Sequence, residues 1–154
     1  MPFKAYTEKY PTVVNTLITK CYVGEPVQGV QYDFNFKEFR GLWDTGAMCS
    51  AISNKVAILL GLLPVSRETI GHATGQSVVD VYNVGILLPN NILIPWVEVF
   101  EGTFSNFDML IGMDIISKGD FSISNKDKKT TFSFRLPSYN EIDFVAEYDE
   151  IKQS

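Results

Sequence analysis

An all-β fold, a barrel or folded sandwich with one or two short helices, is what this sequence predicts. Short runs rich in Val, Ile, Phe and Tyr recur along most of the chain, and turn residues interrupt them at close spacing. Aromatic residues make up 13% of the 154 residues, with 11 Phe and 7 Tyr, a bias that suits sheet. The length fits one compact domain, read as a body over residues 1–137 and an acidic tail over 138–154.

After an irregular start, residues 13–23 read as a strand that closes at Gly24-Glu25-Pro26. Residues 31–37 form a second strand region, with Tyr32, Phe34 and Phe36 alternating, and residues 39–43 a third. A short helix follows over residues 53–61, with Ser53 suited to its N-cap and Gly61 to its C′ position. Residues 67–70 and 77–82 are the arms of a hairpin whose tip is Gly71-His72-Ala73-Thr74-Gly75. A further strand over 84–88 turns through Pro89-Asn90-Asn91 into residues 92–100. There Pro95 lacks an N–H and predicts an edge position or a bulge.

Residues 109–112 read as a buried apolar strand end, and 114–118 as one or two helical turns stopped by Gly119. A last hairpin pairs residues 121–124 with 130–135. In the tail Ile142, Val145, Tyr148 and Ile151 keep near-helical spacing, which fits either a helix or a loose arm.

Net charge is −5 and the pI about 4.8, which argues against a nucleic-acid partner. Five acids and one base in the tail account for four of those charges, so the acidity says little about the substrate. No apolar leader core and no run of about 20 apolar residues is present, so a cytoplasmic protein without a membrane partner is expected. Cys21 and Cys49 are expected as small buried hydrophobes, and Trp43 and Trp96 as core residues. With His72 the sole histidine, no metal cluster or cofactor is indicated, and an exposed or substrate-rim role suits it. Asp114 is read as a helix cap or dipole partner.

The chemistry-bearing segment is Leu42-Trp43-Asp44-Thr45-Gly46-Ala47-Met48-Cys49-Ser50. A carboxylate at the end of an apolar strand, followed by small residues, can be held in a tight turn by backbone N–H groups. Asp, Thr and Gly are also ordinary turn formers, so the tripeptide alone reads first as a polar turn. Three further features follow it in order: the short helix ending Leu60-Gly61-Leu62, the glycine-flanked hairpin tip, and Asp108-Met109-Leu110-Ile111-Gly112-Met113-Asp114.

In that order the set resembles the retropepsin-like aspartic peptidases, the retroviral and retroelement class with its bacterial relatives. The resemblance implies a closed or partly open acid-protease barrel with a flap hairpin. It implies aspartic endopeptidase activity, with Asp44, Thr45 and Gly46 catalytic and no cofactor. Ala47 and the flap residues Gly71, His72, Ala73, Thr74 and Gly75 would bind substrate, and Ile111 and Gly112 would support the catalytic loop. The chain has a single Asp-Thr-Gly, so the resemblance implies a homodimer acting on polypeptide, with one Asp44 from each copy. Two positions depart from the retroviral pattern: Met113 stands where an Arg ties the dimer, and Met48 where an acid is common. The alternatives are a non-catalytic peptide-binding or adaptor module on the same fold, and a scaffold whose acidic tail is the working element.

Overall fold

The computed structural model describes residues 1–29 and 35–154. Strands β1 (Lys4–Lys9), β2 (Ile18–Gly24), β3 (Lys37–Trp43) and β4 (Ala51–Ser53) lead to helix α1 (Asn54–Leu60). Then come β5 (Ser66–His72), β6 (Gly75–Leu88), β7 (Ile92–Gly102), β8 (Met109–Ile111) and the short helix α2 (Met113–Ile116). Strands β9 (Asp120–Ser124) and β10 (Thr131–Leu136) and helix α3 (Phe144–Gln153) complete the chain.

Six strands close on themselves in the order β2-β3-β8-β4-β7-β6, because β6 also pairs with β2 through Val23↔Ile86 and Gly24↔Gly85. Closure removes the open edges that a sheet of this size would otherwise present. Strand β5 pairs with β6 outside that circuit, and β1, β10 and β9 form a separate three-stranded sheet. Most ladders are antiparallel, but β3 with β8 and β4 with β7 run parallel.

The core lies inside the barrel and under the small sheet. Ile52, Val56, Ile86, Val99, Met109 and Ile111 are fully buried on the barrel side. Trp43 joins the two layers, its ring centroid 4.9 Å from Phe134 and 5.0 Å from Phe132. Each large apolar side chain sealed this way contributes roughly 1.5–3 kcal/mol on transfer from water. Helix α1 starts at Ser53, whose Oγ accepts from Val56 N–H at 3.4 Å, and ends at Gly61, whose φ of 64° suits glycine.

Several elements differ from expectation. Residues 4–9 form a strand although only Tyr6 is buried in it; an edge strand with one core contact leaves no alternation to read. Residues 13–17 are not strand: Val14 N–H bonds to Thr130 Oγ1 at 3.0 Å instead of to a ladder. The expected strand at 31–37 lies mostly outside the described residues; Lys37 opens β3. Residues 77–82 and 84–88 are one 14-residue strand. Its register shifts where Val84↔Val97 gives way to Ile86↔Ile94, so Pro95 and Trp96 oppose the single Gly85. Pro95 therefore sits in a bulge, where its missing N–H costs no ladder bond. Trp96 is thrown outward there and is 47% exposed, not a core residue. The tail forms a helix, and no helix among the described residues is long and apolar enough to cross a membrane.

Candidate active site

Strand β3 delivers Asp44 to the surface of the barrel. Its last residues pair in parallel with β8, Gly41↔Met109 through Trp43↔Ile111, and Asp44 N–H extends that ladder by donating to Ile111 C=O at 2.9 Å. The chain then turns: Ala47 N–H reaches back to Asp44 C=O at 3.3 Å. The carboxylate itself is held locally, with Oδ1 accepting from Gly46 N–H at 2.8 Å. Asp44 is half-buried, and Thr45 and Gly46 are exposed.

A second segment clamps this loop. Met113 N–H donates to Ala47 C=O at 2.7 Å, and Asp114 N–H to Met48 C=O at 3.2 Å. Gly112 lies where the two segments cross. A Cβ there would stand 2.8 Å from Ala47 O and 2.9 Å from both C and O of Cys49, so only glycine fits without moving backbone. Ser50, fully buried, ties the crossing: its Oγ donates to Asp114 Oδ1 at 2.7 Å and accepts from Gly112 N–H at 3.0 Å. Ser50 N–H donates to Asp114 Oδ2 at 2.9 Å, and Ile115 N–H to Oδ1 at 3.0 Å. A carboxylate collecting three donors gains charge-assisted bonds, roughly twice as strong as neutral ones.

Asp44, Thr45, Gly46, Ala47, Ile111 and Gly112 are thus brought together as one unit. Gly71, His72, Ala73, Thr74 and Gly75 form a separate exposed hairpin tip, closed by His72↔Gly75. The His72 ring spans that tip, with Nδ1 3.0 Å from Thr74 Oγ1 and Nε2 2.8 Å from Ser77 Oγ. Asp114 is more than a dipole partner, since it sits in the first turn of α2 and anchors Ser50. Cys49 corrects expectation: it is exposed, because the crossing holds its backbone and turns its side chain out. Cys21 is buried under Gly41, and burial pushes its thiol up to about 12.

A groove of about 420 Å³ opens beside Asp44 and Thr45, walled by Val13, Leu17, Leu42, Phe121 and Ile123. Sequence reasoning missed the contribution of residues 13–17 to this wall. Their apolar content reads as strand, whereas Asn15 and Thr16 send the segment along the groove rim.

The fold is similar to that of a retropepsin-like aspartic protease from Rickettsia conorii, at 13% identity and a TM-score of 0.57, covering 87% of this chain and 95% of that one. It is also similar to the Simian Foamy Virus (mac) protease, at 15% identity and a TM-score of 0.47, over 66% of this chain and 92% of that one. The EIAV protease complexed with the inhibitor HBY-793 aligns at 18% identity and a TM-score of 0.46, over 69% and 92% of the two chains. No protein-family model and no curated protein sequence matches the chain. The match to the Rickettsia protein, across nearly the whole of both molecules, places this chain in the retropepsin-like fold.

Proposed function

We propose that the chain is an aspartic endopeptidase that works as a homodimer, with the two Asp44 carboxylates meeting across a two-fold axis. The observation that carries this reading is Asp44 itself: half-exposed at the end of β3, its Oδ1 fixed by Gly46 N–H, on a retropepsin-like fold.

Two carboxylates brought within a few Å cannot both ionise cheaply, so they share one proton; this is the general property of the aspartic-peptidase dyad, not a result for this chain. The ionised carboxylate takes a proton from a water lying between them. The water oxygen bonds to the scissile carbonyl carbon while the protonated carboxyl donates to the carbonyl oxygen. The tetrahedral diol then collapses: one hydroxyl gives its proton to the ionised carboxylate as C=O re-forms, the C–N bond breaks, and the nitrogen takes the proton of the other carboxyl, which restores the singly protonated dyad. Thr45 hydroxyls bond across the axis in this reading, and an extended polypeptide pairs its backbone beneath the hairpin tip at residues 71–75.

The test is Asp44→Asn in the full chain, assayed on an unstructured protein. Hydrolysis is expected to fall by about 10²–10⁴-fold or more, with folding and sedimentation unchanged. Undiminished turnover overturns the reading.

One observation favours the adaptor alternative: Met113, 37% exposed, stands where the resemblance implies a dimer-tying Arg, and Met48, 84% exposed, where it implies an acid. That alternative predicts peptide binding without cleavage for the wild-type chain.

A further inference from the structure

Helix α3 has the build of a docking element. Asp143 caps it, accepting from Val145 N–H at 2.8 Å and Ala146 N–H at 3.2 Å. One side carries Phe144, Tyr148 and Ile151 at i, i+4 and i+7, with Val145 alongside, and all four are 62–72% exposed. The helix has ten residues, none of them buried. Isolated helices shorter than about 12–15 residues are marginal in water, so most of the stability of α3 must come from a surface that covers this stripe.

The root of the tail is fixed. Asp120 accepts from Ser138 Oγ at 2.6 Å and Tyr139 N–H at 2.9 Å, and pairs with Arg135. Those bonds, with Arg135, hold its carboxyl down at about 2.

The molecule offers a matching surface beside Asp44. The groove is apolar along Val13, Leu42 and Ile123, with Val13 56% and Ile123 44% exposed. Its volume falls within the roughly 300–1,000 Å³ of ligand-binding clefts. At its mouth Ile123 and Asn125 lead into the β9–β10 turn, where exposed Lys126, Lys128 and Lys129 outnumber Asp127. None of the three lysines has an ion pair among the described residues. The tail holds five acids against one base, so both the apolar stripe and the charge match.

A chain cannot readily serve its own groove. Phe121 and Ile123 of β9 face the groove, whereas Asp120 and Ser122 face the opposite side, where Ile142 of the tail lies. Only Asp143 separates Ile142 from α3, so the helix starts on the far face of the small sheet.

We propose that α3 of one copy docks in the Asp44-side groove of a second copy, with Phe144 and Tyr148 against Ile123 and the acids of the tail against the lysine turn. This contact does not need the peptidase reading. Where that reading holds, docking competes with substrate and with pairing of the two catalytic loops, because the helix lies against Thr45.

The exposed Cys49 makes the contact measurable. Full-length Gln153→Cys protein, an equal mixture of ¹⁵N-labelled and unlabelled chains, is treated with a flexible bis-maleimide, and the linked peptides are identified by mass. The expected product joins residues 49 and 153 between chains of different isotope, and falls at least tenfold on adding Ile123→Glu or Tyr148→Glu. Tyr148 is exposed in the free chain, so its variant leaves the body folded. Links confined to one chain, or no 49–153 link, overturn the proposal. Links only between two copies of Cys49 also overturn it while favouring paired catalytic loops, so the two ideas fail separately.

Discussion

The Asp44 loop and the hairpin tip both contain glycine, yet the two regions are built in opposite ways. Around Asp44 the backbone of residues 44–50 is tied to residues 111–114 by bonds at 2.7–3.2 Å, and Gly112 has no room for even a methyl group. At the tip, Gly71 has nothing within 4 Å of where a Cβ would stand, and the contacts made by His72 stay within the hairpin. One region holds a carboxylate in place through a second segment of chain. The other offers an exposed two-stranded arm whose stability depends on its own ladder, so it belongs to the part of the molecule that opens at low cost.

That contrast can be broken by substitution. Gly112→Ala should have the largest effect on stability, about 3 kcal/mol by denaturant titration, because the new methyl meets backbone rather than a side chain that can swing away. A loss below about 0.5 kcal/mol would mean the crossing is not tight. Ser50→Ala should cost about 1–3 kcal/mol, since Gly112 N–H loses its acceptor and the Asp114 carboxylate loses a donor in a buried place. If the peptidase reading holds, its kcat should fall as well, because Ser50 acts through the loop that carries Asp44. Gly71→Ala should change stability by no more than about 0.5 kcal/mol. An effect as large as that at Gly112 would show the tip to be packed in solution and erase the contrast.

Much of the frame was legible in the sequence because local signals agreed with the final structure. Ser53 and Gly61 marked the ends of α1, Pro95 marked the bulge, and the Asp44 motif with Ile111-Gly112 marked the crossing. The rest depended on partners distant in sequence. Strand β1 is recognisable only once β10 lies beside it, with Tyr6↔Phe134 in register. Trp96 reads as core until the bulge turns it out, and Cys49 until the crossing presents its side chain to solvent. The Ser50–Asp114 pair spans 64 residues, and no local pattern announces it.

The parallel ladder beneath Asp44 also has a consequence for how the chain acquires its shape. Gly41 pairs with Met109 and Trp43 with Ile111, contacts that close a loop of nearly half the polypeptide. Loop-closure entropy must be met before such contacts give anything back, and non-local pairing of this kind slows folding. On a ribosome, the first half of the chain would emerge with its aspartate on an unfinished strand. The cradle can set only after residues 109–115 have followed.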